Sequence, residues 1–215
     1  MAETRTLWAP RLVCGAMRIF LAGATGVIGI RLLPLLAADG HTVAGMTRSP
    51  EKVDQLRALG AEPVVCDALD APALIEAVTA FAPEAMVHQV TDLPDRLDQL
   101  PAFAERNDRI RTEGTGNLVA AARRAGAGHF LAQSIAWRPP GRGGAVDEHE
   151  RLVLEIRGVV VRYGQLYGPG TYYETELPPH PRIHVDDAAR RTPPLILAPS
   201  GVLVLADDRE PSGRI

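Results

Sequence analysis

An α/β fold organised on a doubly wound parallel sheet is what this sequence predicts, and three observations predict it. Short apolar runs alternate with segments of helical period along nearly the whole chain. The first run, Arg18-Ile19-Phe20-Leu21-Ala22, leads straight into glycines spaced three apart, Gly23, Gly26 and Gly29, and an apolar helical pattern follows at once. The positions that would end the strands carry glycines and polar side chains, and ligands bind there in such sheets.

The remaining bulk properties set limits. A chain of 215 residues has room for one full α/β domain and a small appendage. With 46% hydrophobic and 23% charged residues and a net charge of −3, it reads as a soluble globular protein without the basic face that nucleic acid requires. No apolar run approaches the roughly 20 residues that span a bilayer. Cys14 and Cys66 make neither a disulfide framework nor a metal quartet, so a reducing cytoplasm is expected and no metal is. Residues 1–16 show no periodicity and are expected to form a loose extension. Residues 17–215 are expected to form one domain, with a short substrate-side segment from about 164 to 215.

The elements follow in order. In the glycine turn, Gly23 permits the tight bend, Gly26 lets backbone approach a pyrophosphate, and Gly29 lets the helix pack close to its strand. The helix over Val27–Ala38 then presents its first N–H groups and positive dipole end to phosphate, stops at Asp39-Gly40, and carries Pro34, which predicts a slight kink. Strand Thr42–Thr47 is ended by Arg48-Ser49-Pro50, helix Pro50–Leu59 by Gly60, and strand Glu62–Cys66 by Asp67. A helix over Pro72–Phe81 and a strand over Ala85–Gln89 come next, then one long helix from about Ala102 to Ala125. Strand His129–Gln133 closes at Ser134, and a Pro/Gly-rich stretch over Arg138–Gly144 leads to a helix near Asp147–Ile156. Strand Gly158–Arg162 follows, and Val202–Leu205 is a candidate late strand. The strand ends would gather the glycine loop, Arg48, Asp67, His88–Thr91, Ser134 and Tyr163–Gly170 on one edge.

Several stretches together resemble the extended, atypical short-chain dehydrogenase/reductase family, and within it the NAD(P)-dependent epimerase/dehydratase-like proteins. They are Ala22-Gly23-Ala24-Thr25-Gly26-Val27-Ile28-Gly29, Glu113-Gly114-Thr115-Gly116-Asn117-Leu118 and Gln133-Ser134-Ile135-Ala136-Trp137, followed by Arg162–Gly170 and Ile183–Ala189. The resemblance implies a Rossmann-like sheet with helices on both faces and a reduced C-terminal substrate region. It implies cofactor contacts from Gly23, Thr25, Gly26, Val27, Ile28 and Gly29, and an adenine contact from Asp67, which alternatively caps the following helix. The second strand ends in Arg48 with no acid beside it, and a guanidinium there suits a 2′-phosphate, so NADP(H) is expected over NAD(H); the bland alternative is a solvated charge.

The family's Tyr-x-x-x-Lys pair is where the chain departs from the pattern. Lys52 is the only lysine, and Asp147–Glu155, on the helix that would carry the pair, contains no tyrosine. Ser134 stands at the family serine's position, and Arg111-Thr112 at that of a frequent family asparagine. Candidate catalytic residues are therefore Ser134 and Tyr167, the latter a phenol with an ordinary value near 10. His149 and Glu150 are further proton donors in reach of the chemistry, with solvent-facing helix positions as the preferred reading. His88 reads first as a satisfied strand-end histidine, and His184-Val185-Asp186-Asp187 as a loop and helix cap rather than metal ligands. The expected function is an NADP(H)-binding oxidoreductase or epimerase/dehydratase acting on a small carbonyl or nucleotide-sugar-like molecule. A non-catalytic NADP(H) sensor and a truncated inactive paralogue are the alternatives, and a homodimer is an admissible assembly.

Overall fold

The computed structural model describes residues 15–137 and 143–207. Most of the expected loose extension, residues 138–142 of the Pro/Gly-rich stretch and residues 208–215 lie outside the described residues. The elements are β1 (Arg18–Ala22), α1 (Gly29–Ala38), β2 (Thr42–Thr47), α2 (Val53–Ala58), β3 (Ala61–Val65), α3 (Ala71–Phe81) and β4 (Ala85–His88). Then come α4 (Leu100–Arg109), α5 (Thr115–Ala125), β5 (His129–Ile135), α6 (Gly143–Glu155), β6 (Val159–Tyr163), β7 (Gln165–Tyr167), β8 (Arg182–His184), α7 (Val185–Arg191) and β9 (Gly201–Leu205).

Seven strands form one parallel sheet in the order β3-β2-β1-β4-β5-β6-β9, and β7 pairs with β8 outside it. The inner strands β1, β2, β4, β5 and β6 are largely buried on both faces, which is why they read as continuous apolar runs, whereas the edge strands β3 and β9 leave side chains exposed. Along β1 the side chains alternate: Ile19 and Leu21 join one core with Leu32 and Leu36 of α1 and Ala188 of α7, while Phe20 and Ala22 join the other with Leu74 and Val78 of α3 and Leu118 of α5. Helices thus cover both faces, as the doubly wound reading requires. The candidate late strand is β9, parallel to β6 at the sheet edge. The chain runs outward from β1 to β3 and returns to β4 on the other side of β1, so the strand order reverses between β1 and β4. Crevices for dinucleotides form at that reversal.

Local differences have local causes. Helix α1 starts at Gly29, two residues later than the periodicity suggests, because Val27 and Ile28 belong to the glycine turn. Asp70 caps α3, its Oδ1 accepting from the Ala73 N–H at 3.2 Å, while Asp67 Oδ1 accepts from the Leu69 N–H at 2.9 Å and shapes the turn before the cap. The long helix is three pieces: α4, a π-helical turn over Ile110–Gly114, and α5. Thr112 Oγ1 donates back to the Asp108 carbonyl at 3.0 Å within that region, and such backbonding loosens regular helical pairing. The wide turn places Ile110, Arg111 and Gly114 in the interior.

Candidate functional site

The glycine turn joins β1 to α1 against the end of β4. Gly23 has φ +82°, and a Cβ there would stand 2.7 Å from the Gln89 carbonyl carbon, so both its conformation and its neighbour demand glycine. A Cβ on Gly29 would lie 2.1 Å from the Gly23 carbonyl oxygen and 2.9 Å from Ala24 Cα, which is how the helix start folds back onto the loop. Gly26 is less constrained, its nearest neighbour being the same oxygen at 3.3 Å. Thr25 Oγ1 meets Thr47 Oγ1 at 3.0 Å and ties the turn to the end of β2. The N–H groups of Thr25, Val27 and Ile28 have no hydrogen-bond partner among the described residues, and all three residues line a cleft of about 1100 Å³. Unsatisfied N–H groups at a helix start, on backbone that admits no side chain at Gly23, fit a pyrophosphate.

The cleft extends from this turn across the sheet edge. Arg48, Ser49 and Lys52 line it at the end of β2, and Gln89–Thr91, Arg111 and Ser134 line it further along. Arg48 is partly engaged: one guanidinium nitrogen reaches Asp92 Oδ1 at 3.1 Å, and the same carboxylate is gripped by Arg106 at 3.0 and 3.1 Å. Its side chain is 42% exposed, so donors remain for a ligand. Asp67 and Tyr167 do not line the cleft. Tyr167 donates to Asp207 Oδ2 at 2.9 Å, and burial followed by that carboxylate pushes its phenol up rather than down. Ser134, expected to close β5, lies within it.

A buried polar chain sits beneath the inner end. The Val90 N–H donates to His88 Nδ1 at 3.1 Å, so the proton of neutral His88 is on Nε2, which lies 3.1 Å from Thr115 Oγ1. His149 Nε2 lies 2.8 Å from the Gln133 carbonyl and must donate to it, leaving Nδ1 to accept from the Thr115 hydroxyl at 2.7 Å. Protons therefore point one way, from His88 through Thr115 to His149 and on to Gln133. Both rings are 1% exposed. Burial first, then the Arg111 charge, lowers His149 to about 4; burial, His149 and Arg111 hold His88 well below its ordinary value. Beside them Ser134 Oγ donates to Glu150 Oε1 at 2.6 Å, and Arg162 clamps the same carboxylate through Nε at 2.8 Å and Nη2 at 2.5 Å. Burial alone would raise Glu150, but Arg162 and Ser134 together bring it below the usual carboxylate value.

This corrects the solvent-facing reading of His149 and Glu150: α6 turns both inward. The sequence offered no spacing signal for it, since Thr115 is 27 residues from His88 and 34 from His149. Also unanticipated is Arg31, which donates to the Pro169 carbonyl at 2.7 Å and pairs with Asp186 at 2.7 Å, locking the loop after β7 against the start of α1. Tyr172 donates to the Pro94 carbonyl, joining the segments on either side of the cleft mouth. Among the described residues no cluster of three or more His, Cys, Asp or Glu could hold a metal ion, and no helix is long and apolar enough to cross a membrane.

Comparison with known proteins gives the same picture. A Streptomyces protein named 3-diazoavenalumate denitrifying reductase is 41% identical over 182 residues, covering 73% of this chain and 59% of that protein. The chain thus spans less than two thirds of that relative's length. Among solved structures, the Bordetella bronchiseptica enzyme WbmG in complex with NAD superposes with a TM-score of 0.70 at 19% identity, covering 92% of this chain and 74% of that one. UDP-glucose 4-epimerase from Thermotoga maritima does so with a TM-score of 0.71 at 18% identity, covering 88% and 77%. At such identities the likeness is one of fold. A family model described as NAD(P)H-binding matches residues 23–146, the stretch that runs from the glycine turn through Ser134 into α6. With more than half its length matched and the phosphate cradle in place, the chain belongs to this NAD(P)H-binding family.

Proposed function

We propose that this protein is an NADP(H)-dependent reductase whose substrate accepts hydride without needing a proton from the protein. The observation that carries this is the prior engagement of the Ser134, His149 and His88 protons at the inner end of the cleft. Ser134 gives its proton to Glu150, His149 gives its proton to the Gln133 carbonyl, and His88 gives its proton toward Thr115. His149 is neutral near pH 7 and Glu150 is ionised, so neither acts there as an acid. Gly23, Gly26 and Gly29 with the open N–H groups of the turn would hold the pyrophosphate, and Arg48 with Lys52 would receive the 2′-phosphate, favouring NADP(H) over NAD(H). A bound reduced dinucleotide supplies hydride. The remaining task of the protein is to orient an acceptor beside Ser134 and exclude water.

A carbonyl or nucleotide-sugar substrate would need an acid at its oxygen; an arene diazonium would not. When its nitrogen-bearing carbon gains hydride, a C–H bond forms, the C–N bond breaks, and the electron pair leaves with neutral dinitrogen. The name of the Streptomyces relative supports this acceptor class. The test is NADPH consumption by the full chain with an arenediazonium salt and with a panel of aldehydes and ketones, using NADPH deuterated at the transferred position. The proposal expects a deuterated arene, dinitrogen release and little carbonyl reduction. Efficient carbonyl reduction refutes the acceptor class, and NADPH binding with no turnover on either favours the sensor reading.

A further inference from the structure

One buried charged group in the cleft forms no ion pair with the described residues. Arg111, on the π-helical turn, is 7% exposed, and its Nη1 is buried with no hydrogen-bond partner among the described residues. It lines the cleft. Arginine keeps its proton in proteins, so this is a fixed cation. Burial opposes that charge, while Asp108 and Glu150 support it from a distance. Glu150 already accepts three hydrogen bonds, from Ser134 Oγ, Arg162 Nε and Arg162 Nη2, and none from Arg111. Its influence on His88 and His149 places Arg111 at the Ser134 end of the cleft. A guanidinium left unpaired on a cavity wall is poised for an anionic ligand.

Other parts of the cleft wall have a matching character. Leu93, Leu97 and Trp137 are 43%, 44% and 37% exposed, and all three line the same cleft. A cleft that holds open large apolar side chains and one buried cation suits a flat apolar molecule with a single negative end. We infer that Arg111 anchors the carboxylate of an aromatic substrate whose ring lies against Leu93, Leu97 and Trp137. This rests on the reductase reading and narrows its substrate class to aryl carboxylates. Arg111 is the specificity determinant: it selects and aligns the substrate by its anionic end, leaving the glycine turn to the dinucleotide.

The experiment is calorimetric titration of the full chain, saturated with NADP+, with cinnamate and with cinnamamide as probes of equal shape. NADP+ binding is measured first, so its failure counts against the reductase reading, whereas the anchor is judged by the two probes. The inference expects cinnamate to bind at least about tenfold more tightly than the amide, as a charge-assisted pair requires. Arg111→Gln should remove that preference with NADP+ affinity unchanged. Arg111→Lys, which keeps the charge without the planar fork, should retain part of it and serves if the glutamine variant does not fold. Equal binding of the two probes by the unaltered protein, an undiminished preference in the variants, or loss of NADP+ affinity on substitution overturns the inference.

Discussion

Acidification below about pH 6.5 should destabilise this protein through His149. The ring is buried against Thr115, Gln133 and His88, with the Arg111 charge and Glu150 as its ionic neighbours, and it titrates at about 4 against 6.5 for an exposed histidine. Because the folded value is the lower one, the unfolded chain binds the proton first. The full contribution of the neutral ring is present above pH 6.5 and is lost progressively as pH falls toward 4. A difference of about 2.5 units corresponds to about 3 kcal/mol in all, of which about 2 kcal/mol has gone by about pH 5. His88 is shifted in the same direction and adds to the loss. Glu150, held below 4.5, stays ionised through most of this window and contributes only at lower pH. Urea unfolding at about pH 7.5 and about pH 5 measures the change for the unaltered protein and for His149→Gln. The variant should lose about 2 kcal/mol less stability between those conditions. Parallel losses in the two proteins, or a stability that does not change between them, would refute the buried neutral assignment and with it the claim that His149 supplies no acid.

Two other perturbations probe the dinucleotide end. Gly29→Ala places a methyl group 2.1 Å from the Gly23 carbonyl oxygen and against Ala24 backbone, neither of which can rotate away. It should cost about 3 kcal/mol of stability by chemical unfolding and weaken NADP+ binding at least about tenfold in a fluorescence titration. Arg48→Ala removes the guanidinium but leaves Asp92 paired with Arg106, so the fold should tolerate it. The ratio of NADH to NADPH dissociation constants should fall about tenfold, and an unchanged ratio would show that Arg48 plays no part in choosing the cofactor.

The sheet was legible in the sequence because each element has a local cause. The inner strands, buried on both faces, read as unbroken apolar runs, helices end at Gly40, Gly60 and Gly126, and Gly23 and Gly29 announce a turn that only glycine can make. The long helix was harder, since the π-helical turn that divides α4 from α5 leaves the apolar periodicity nearly unaltered while shifting Arg111 and Thr115 inward. Helical period makes His149 and Glu150 look solvated, because it cannot reveal what another strand offers. Their burial depends on Gln133, Ser134 and Arg162, which pay in hydrogen bonds for removing them from water.

By itself, then, the sequence determined the alternation of strands and helices, the glycine cradle and the basic end of β2, all of which follow from residues within a few positions of one another. Only the tertiary structure decided the direction of the His88–Thr115–His149 chain, the engagement of Ser134 by Glu150, the placing of Tyr167 outside the cleft, and the unpaired charge of Arg111. The physical reason is that backbone conformation is chosen by near neighbours, whereas protonation and ligand-binding capacity are set by burial and by partners that the sheet brings together from distant parts of the chain.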